Sequence, residues 1–311
     1  MQQRPIGKTG LSISVIAMGC GPVAELMTGI DVLRQHAVVQ QALNAGINWF
    51  DTAPGYGNGQ SERSLGVCLA ACDPHQQAQI GTKVRLIRGS TVSFREQIRE
   101  SVRQSLERLQ RPSVALLQLH NAITEKPDDQ PFSVTPDEVL GPGGVADCFD
   151  ELRQAGTILA AGLTGTGHTS ALTEVLCSRC FHTIQLPLNL LHSLPAAEKQ
   201  PRQLLAVCEG AGVSVLAIRI FAAGALLGRA PSAHTLKTPF FPLSVYHRDG
   251  LQAEQLCRDW TAAERVERAL EYPLGQPGVA AVIVGLADSA ELSEITLGQQ
   301  KVASLRETPK R

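Results

Sequence analysis

Eight short runs of apolar and β-branched residues recur along the chain: Ser14–Gly19, Ile47–Ala53, Gln79–Val84, Val114–His120, Leu159–Gly165, Thr183–Asn189, Val213–Arg219 and Val279–Gly285. Most are apolar on both faces, as a strand covered by helices on each side must be. The segments between them have helical character. Ser93 with Glu96 makes a capping box, and Phe94, Ile98, Val102, Leu106 and Leu109 follow at helical spacing. Three segments close on Ala-Gly just before a strand, at Ala45-Gly46, Ala155-Gly156 and Ala211-Gly212. A glycine there tolerates the left-handed backbone that ends a helix. Eight helix-linked strands predict an α/β fold of the closed (β/α)8 barrel type, rather than an open sheet. No break in composition divides the chain, so residues 1–311 read as one domain. Two long stretches rich in Pro, Gly and polar residues, Asn121–Gly144 and Arg229–Gly250, follow the fourth and seventh strands. Both are expected as irregular rim loops that cover the same end of the barrel.

Composition narrows the function. The 311 residues are 43% hydrophobic and 18% charged, with 28 Lys+Arg against 29 Asp+Glu and a formal net charge of −1. This is a chain with a substantial core, without the cation excess of a nucleic-acid or membrane-surface binder. It has no apolar stretch of the roughly 20 residues a membrane span needs. No apolar segment of a signal peptide follows Met1-Gln2-Gln3-Arg4-Pro5, so a cytoplasmic location is expected. The eight cysteines are irregularly spaced, and the close pair Cys177-Ser178-Arg179-Cys180 has no second pair to complete a zinc site. They are expected to be reduced thiols. The histidines His36, His75, His182, His192, His234 and His247 form no His-x-His or His-Glu-x-x-His pattern, so no metal site is predicted.

In such a barrel, chemistry collects where strands end. The second strand closes with Asp51, whose loop carries Tyr56 in Asp51-Thr52-Ala53-Pro54-Gly55-Tyr56-Gly57. The third closes with Gly81-Thr82-Lys83 and the fourth with Leu119-His120-Asn121. Four ionisable groups at one mouth are costly to desolvate unless they neutralise one another or do chemistry. A lysine ammonium favours the phenolate of a nearby tyrosine, an aspartate keeps that lysine charged, and a histidine can hydrogen-bond a carbonyl oxygen. None is a strong covalent nucleophile. The set suits proton transfer at an oxygen, with the electrons carried by something else.

The opening Gly7-Lys8-Thr9-Gly10-Leu11, the Asp51–Gly57 motif, Ser61-Glu62-Arg63-Ser64-Leu65-Gly66, Thr82-Lys83 and Leu119-His120 occur in an order that resembles the aldo-keto reductase superfamily over nearly the whole chain. The resemblance implies a catalytic tetrad at Asp51, Tyr56, Lys83 and His120. Tyr56 is then the general acid–base, Lys83 its pKa depressor, Asp51 the partner of Lys83, and His120 the group that orients the carbonyl. It also implies hydride from a nicotinamide, NAD or NADP, acting on a small carbonyl or sugar substrate. Gln185 looks like the residue that hydrogen-bonds the nicotinamide carboxamide, beside Thr164. The family usually has a serine-asparagine pair there, whereas Thr164 is followed by Gly165. After the seventh strand the family often places a stacking aromatic; here stand Ile218, Arg219 and Phe221, with Phe221 as the substitute. The stretch from Gly285 through Asp288, Glu291 and Glu294, where phosphorylated-cofactor members carry cations, has three carboxylates and no cation. That composition favours NAD over NADP, with Arg219 or Arg229 as the cations that would compensate. Gly165-Thr166-Gly167-His168 reads either as a phosphate-touching loop or as the start of the next helix. The Leu140–Asp147 and Gln185–Leu191 stretches are most similar to the aldose dehydrogenase branch (D-threo-aldose and L-galactose type), which oxidises a sugar to its lactone.

Two other classes compete with the oxidoreductase. A metal-dependent hydrolase on the same barrel is disfavoured by the missing histidine pair on the first strand. A non-catalytic nucleotide-sensing regulator, like the potassium-channel β-subunit relatives of the superfamily, would keep the same four residues.

Overall fold

The computed structural model describes residues 1–73, 77–194, 199–239 and 241–307, with side chains to 304. His75 therefore lies outside the described residues. A hairpin of β1 (Gln3–Pro5) and β2 (Ser12–Ser14) precedes the barrel strands: β3 (Ile16–Gly19), β4 (Trp49–Asp51), β5 (Gln79–Val84), β6 (Val114–Leu119), β7 (Ile158–Thr164), β8 (Thr183–Pro187), β9 (Ser214–Ile218) and β10 (Val279–Gly285). These eight pair in parallel and close in the order β10-β3-β4-β5-β6-β7-β8-β9. All eight expected strands are present, several shorter than read. The expected first strand is split: Ser12–Ser14 pairs antiparallel with β1, and only Ile16–Gly19 joins the barrel. The hairpin was not foreseen. Its three-residue strands are too short for a period-2 signal to stand out.

Two cores result. One lies between the strands and the outer helices, where Val38, Val102, Leu172 and Leu270 pack against Phe50, Leu117 and Val282. The other fills the barrel, where Ala17, Trp49, Leu116, Ala160 and Leu216 meet Ile6 and Ile13 from the N-terminal segment. Those two isoleucines come from the hairpin and its turn, and pack into the inner core with the barrel residues.

The helix signals act as expected. Ser93 and Glu96 form a reciprocal capping box on the helix Phe94–Leu109, whose buried face includes Ile98, Val102 and Leu109. Gly46, Gly156 and Gly212 take φ of +83°, +72° and +73°. The stretch 229–250 differs from expectation. It holds the helix Ala233–Lys237 and the first part of the helix Leu243–Leu256, whose buried positions Tyr246, Asp249 and Ala253 face the protein. Prolines 231, 239 and 242 stand around these helices rather than within them, so they interrupt the pattern without preventing helix. The stretch 121–144 is irregular apart from the short helix Pro136–Leu140. No helix among the described residues is long and apolar enough to cross a membrane.

Candidate active site

Lys83, near the end of β5, is almost wholly buried. Its ammonium donates to Asp51 Oδ2 at 2.7 Å and to the Thr52 carbonyl at 2.8 Å. The second carboxylate oxygen of Asp51 accepts from Gln185 Nε2 at 2.5 Å. The same amide nitrogen donates to Gln118 Oε1 at 3.0 Å, and Gln118 in turn donates to the Leu163 carbonyl at 3.3 Å. Both ions of the pair are thus solvated by protein dipoles, which a buried pair needs if it is not to be a net cost.

Tyr56 is carried by a turn after β4. Its N–H donates to the Ala53 carbonyl, and its own carbonyl accepts from Ser61. Left-handed residues Gly57, Asn58 and Gly59 then lead the chain into the helix Gln60–Ala70. The Lys83 nitrogen lies 4.9 Å from the Tyr56 ring centroid. The His120 ring stands edge-on to Tyr56, with centroids 6.1 Å apart and planes at 86°. The four residues predicted from the strand ends are therefore brought together at one mouth.

Electrostatics assigns each a state. Burial alone would push the Lys83 ammonium down, but Asp51 and Tyr56 facing it outweigh that and hold it above its ordinary value. Burial pushes the Tyr56 phenol up from its usual range, opposed by Lys83 and helped by Asp51. The expected depression by lysine acts in the right direction here, yet desolvation of the phenolate exceeds it. Burial first, then Lys83 and Arg85, hold His120 well below its ordinary value, so it is a neutral imidazole. The mouth holds a charged pair, a protonated phenol and a neutral histidine.

Above it opens a cleft of about 790 Å³ bordered by both long stretches, through Gln130, Pro131 and Phe132 on one side and Phe241, Val245 and Arg248 on the other. Arg219 ties the second stretch down. It leaves β9 with φ of +54°, reaches Asp249 Oδ2 at 3.1 Å, and lies 4.5 Å and 4.9 Å from the Phe241 and Tyr246 ring centroids.

The other residues singled out from sequence fall as follows. Thr164 ends β7 opposite Gln185 of β8, and its buried hydroxyl has no hydrogen-bond partner among the described residues. A side chain at Gly165 is excluded, because its Cβ would stand 2.2 Å from Leu186 Cδ2 and 2.8 Å from the Gln185 carbonyl. Phe221 is not among the cleft-lining residues. It packs against Leu191, Leu226 and their neighbours. His168 is the N-cap residue of the helix Thr169–Cys177 and makes no side-chain cap bond. Gly285 ends β10. The acidic segment beyond it does have cations near it: Arg229 pairs with Glu291 at 2.7 Å and Glu294 at 3.4 Å, and Arg34 approaches Asp288 at 3.9 Å. Glu291 also accepts the Ala287 N–H, and Asp288 caps the following helix through Ala290 and Glu291. All eight cysteines are free thiols, six buried and Cys177 and Cys180 exposed. The sequence reading missed Gln118, which looked like one polar residue inside an apolar strand. Its position two residues before His120 was the available signal.

A parallel barrel whose mouth pairs a protonated phenol with a buried lysine–aspartate pair and a neutral imidazole defines a class of barrel proteins with ionisable groups gathered at the strand ends. Residues 16–300 match the Aldo/keto reductase family, and the chain belongs to that family. It is an NAD(P)-dependent oxidoreductase, and the hydrolase alternative falls away. Among curated proteins it is 25% identical over 306 residues to L-galactose dehydrogenase of Arabidopsis thaliana, covering 98% of this chain and 90% of that one. It is 26% identical over 312 residues to D-threo-aldose 1-dehydrogenase of a Pseudomonas species, covering 92% and 89%. Among solved structures, a holo-form aldo-keto reductase from Bacillus halodurans superposes with a TM-score of 0.70 at 24% identity, covering 100% of this chain and 93% of that one.

Proposed function

We propose that the chain interconverts a carbonyl and an alcohol with Tyr56 as the proton carrier, and that its substrate is an aldose oxidised at its anomeric carbon to a lactone. The observation that carries the reading is the Lys83 ammonium, fixed 2.7 Å from Asp51 and 4.9 Å from the Tyr56 ring. In the reducing direction the Tyr56 hydroxyl donates its proton to the carbonyl oxygen. Lys83 stabilises the phenolate left behind, and Asp51 keeps Lys83 charged and in place. His120, neutral, donates a hydrogen bond to the same oxygen and orients it. In the oxidising direction Tyr56 takes the hydroxyl proton. The sugar assignment is supported by the two curated aldose and galactose dehydrogenases, each aligned over nine-tenths or more of this chain.

The donors at the mouth fit a nicotinamide nucleotide, which when bound supplies or accepts the hydride that no side chain can carry. Thr164, with a buried hydroxyl in need of a partner, and Gln185 opposite it would hold the carboxamide. Gly165 has no room for a side chain, and Ile218, half-buried at the end of β9, and Phe221 beyond it are the candidates to face the nicotinamide ring. Around Glu291 and Glu294 the carboxylates Asp288, Glu291 and Glu294 face the cations Arg34 and Arg229. This balance favours ribose hydroxyls over a further phosphate, hence NAD over NADP.

Replacing Tyr56 with Phe tests the reading, since only the hydroxyl is removed. Turnover is expected to fall at least about 1,000-fold, within the range that loss of a general acid produces. NADH affinity, followed by fluorescence titration, is expected to change less than about twofold. Near-normal turnover in the variant would place the proton path elsewhere.

A further inference from the structure

Two residues beyond Lys83, on the same side of the chain by strand alternation, stands Arg85. It is exposed and lines the cleft beside His120. It has no ion-pair or hydrogen-bond partner among the described residues, and its guanidinium lies 5.4 Å from the Phe132 ring centroid. Two other arginines of the cleft are committed: Arg219 and Arg248 both reach Asp249, the one carboxylate among the described lining residues, at 3.1 and 3.2 Å. Among its described lining residues the cleft therefore has three cations against one anion, and the unmatched charge with an open fork is on the β5 wall.

The local backbone is arranged around this cation. Phe132 is 49% exposed and has φ of +57°, a conformation costly for a bulky residue. Buried Asn121, next to His120, holds it there by donating to the Phe132 carbonyl at 2.6 Å. The aromatic face is thus set against the guanidinium, a placement that steadies an arginine without using its donors. In the ring of strands β5 is diametrically opposite β9 and separated from β10 by β4 and β3, so this wall faces away from Arg229 and the acidic segment. Its neighbours are Tyr56 and His120, both of which feel the Arg85 charge.

We propose that Arg85 is a specificity-determining residue that selects a carbonyl substrate bearing an anionic group, a carboxylate or phosphate, remote from the reacting carbon. The proposal rests on the Tyr56-centred reading for the position of that carbon. It narrows the substrate class to acidic aldehydes and acidic sugars.

The test compares kcat/KM for reduction within two matched pairs: 4-carboxybenzaldehyde against 4-carbamoylbenzaldehyde, and glyceraldehyde 3-phosphate against glyceraldehyde. The charged member is expected to be favoured at least about tenfold in one pair, and that pair identifies the anion. The preference should shrink with added salt, collapse in Arg85→Gln and survive in part in Arg85→Lys. Neutral members used as well as their charged partners in both pairs, or a preference that persists in Arg85→Gln, overturns the proposal. If neither pair is turned over, it is the Tyr56-centred reading that has failed. Benzoate and inorganic phosphate titrated against tryptophan fluorescence then decide the proposal on binding alone. Binding of either probe to the parent chain and its loss in Arg85→Gln supports it, and any other result overturns it.

Discussion

Lys83 and Asp51 sit one hydrogen bond apart where almost no water reaches, and Thr52, Gln185 and Gln118 complete their solvation. The pair stays charged, whereas Tyr56, which has no counterion of its own, keeps its proton past the ordinary tyrosine range. His120 keeps only one ring proton at neutral pH. These states give the pH dependence a sign. On the proposed role of Tyr56, carbonyl reduction requires the protonated phenol, so its kcat/KM should be flat from about pH 6 to 9 and fall only beyond the ordinary tyrosine pKa of about 10. Alcohol oxidation requires the phenolate and should rise with pH over the same range. Initial-rate profiles in both directions check this; an acid limb near pH 6.5 in reduction would mean that His120 titrates, against its buried neutral state. The identities and strand-end positions of the four residues were legible in the sequence. The direction of the tyrosine shift was not, because it depends on how much water the folded mouth excludes.

At the scale of elements, glycines and connecting segments show what shapes the cleft. Gly165-Thr166-Gly167 looked like a possible phosphate loop, but the tightest constraint on it is internal. Gly167 has φ of +118°, and a Cβ there would stand 2.0 Å from the Ile123 carbonyl oxygen. The segment after β6 crosses at this point, with Ile123 donating to Thr166 and accepting from His168. Gly167→Ala should therefore cost at least about 3 kcal/mol in urea unfolding, combining left-handed strain with a backbone collision. Gly10→Ala, at φ of +79° with nothing within 4 Å, should cost only about 1 kcal/mol. Equal losses would show that strain alone matters at Gly167. Helix caps and Ala-Gly stops were readable because they are local. The helix Leu243–Leu256 was not, since its amphipathic face is only evident once Tyr246, Asp249 and Ala253 have a surface to bury against.

Across the whole molecule, residues far apart in the chain build the acidic cluster beyond β10. Arg229 comes from the segment after β9 and Glu291 and Glu294 from the helix after β10, yet they form one cluster. If this cluster sets cofactor choice, NADH should bind at least about tenfold more tightly than NADPH in a fluorescence titration. Glu291→Ala, which frees Arg229 from its 2.7 Å partner, should narrow the gap. NADPH binding more tightly than NADH to the parent chain would reverse the assignment. The sequence alone determined the barrel and the four residues at its mouth, because strand patterning and strand-end position are periodic, local properties. Tertiary structure alone decided that Arg229 reaches the acidic segment, that Gln185 supports Asp51, that Phe221 packs against Leu191 and Leu226 and that Arg85 is left without a counterion among the described residues. Each of these depends on which side chains barrel closure brings within a hydrogen bond of one another, and spacing along the chain does not record that.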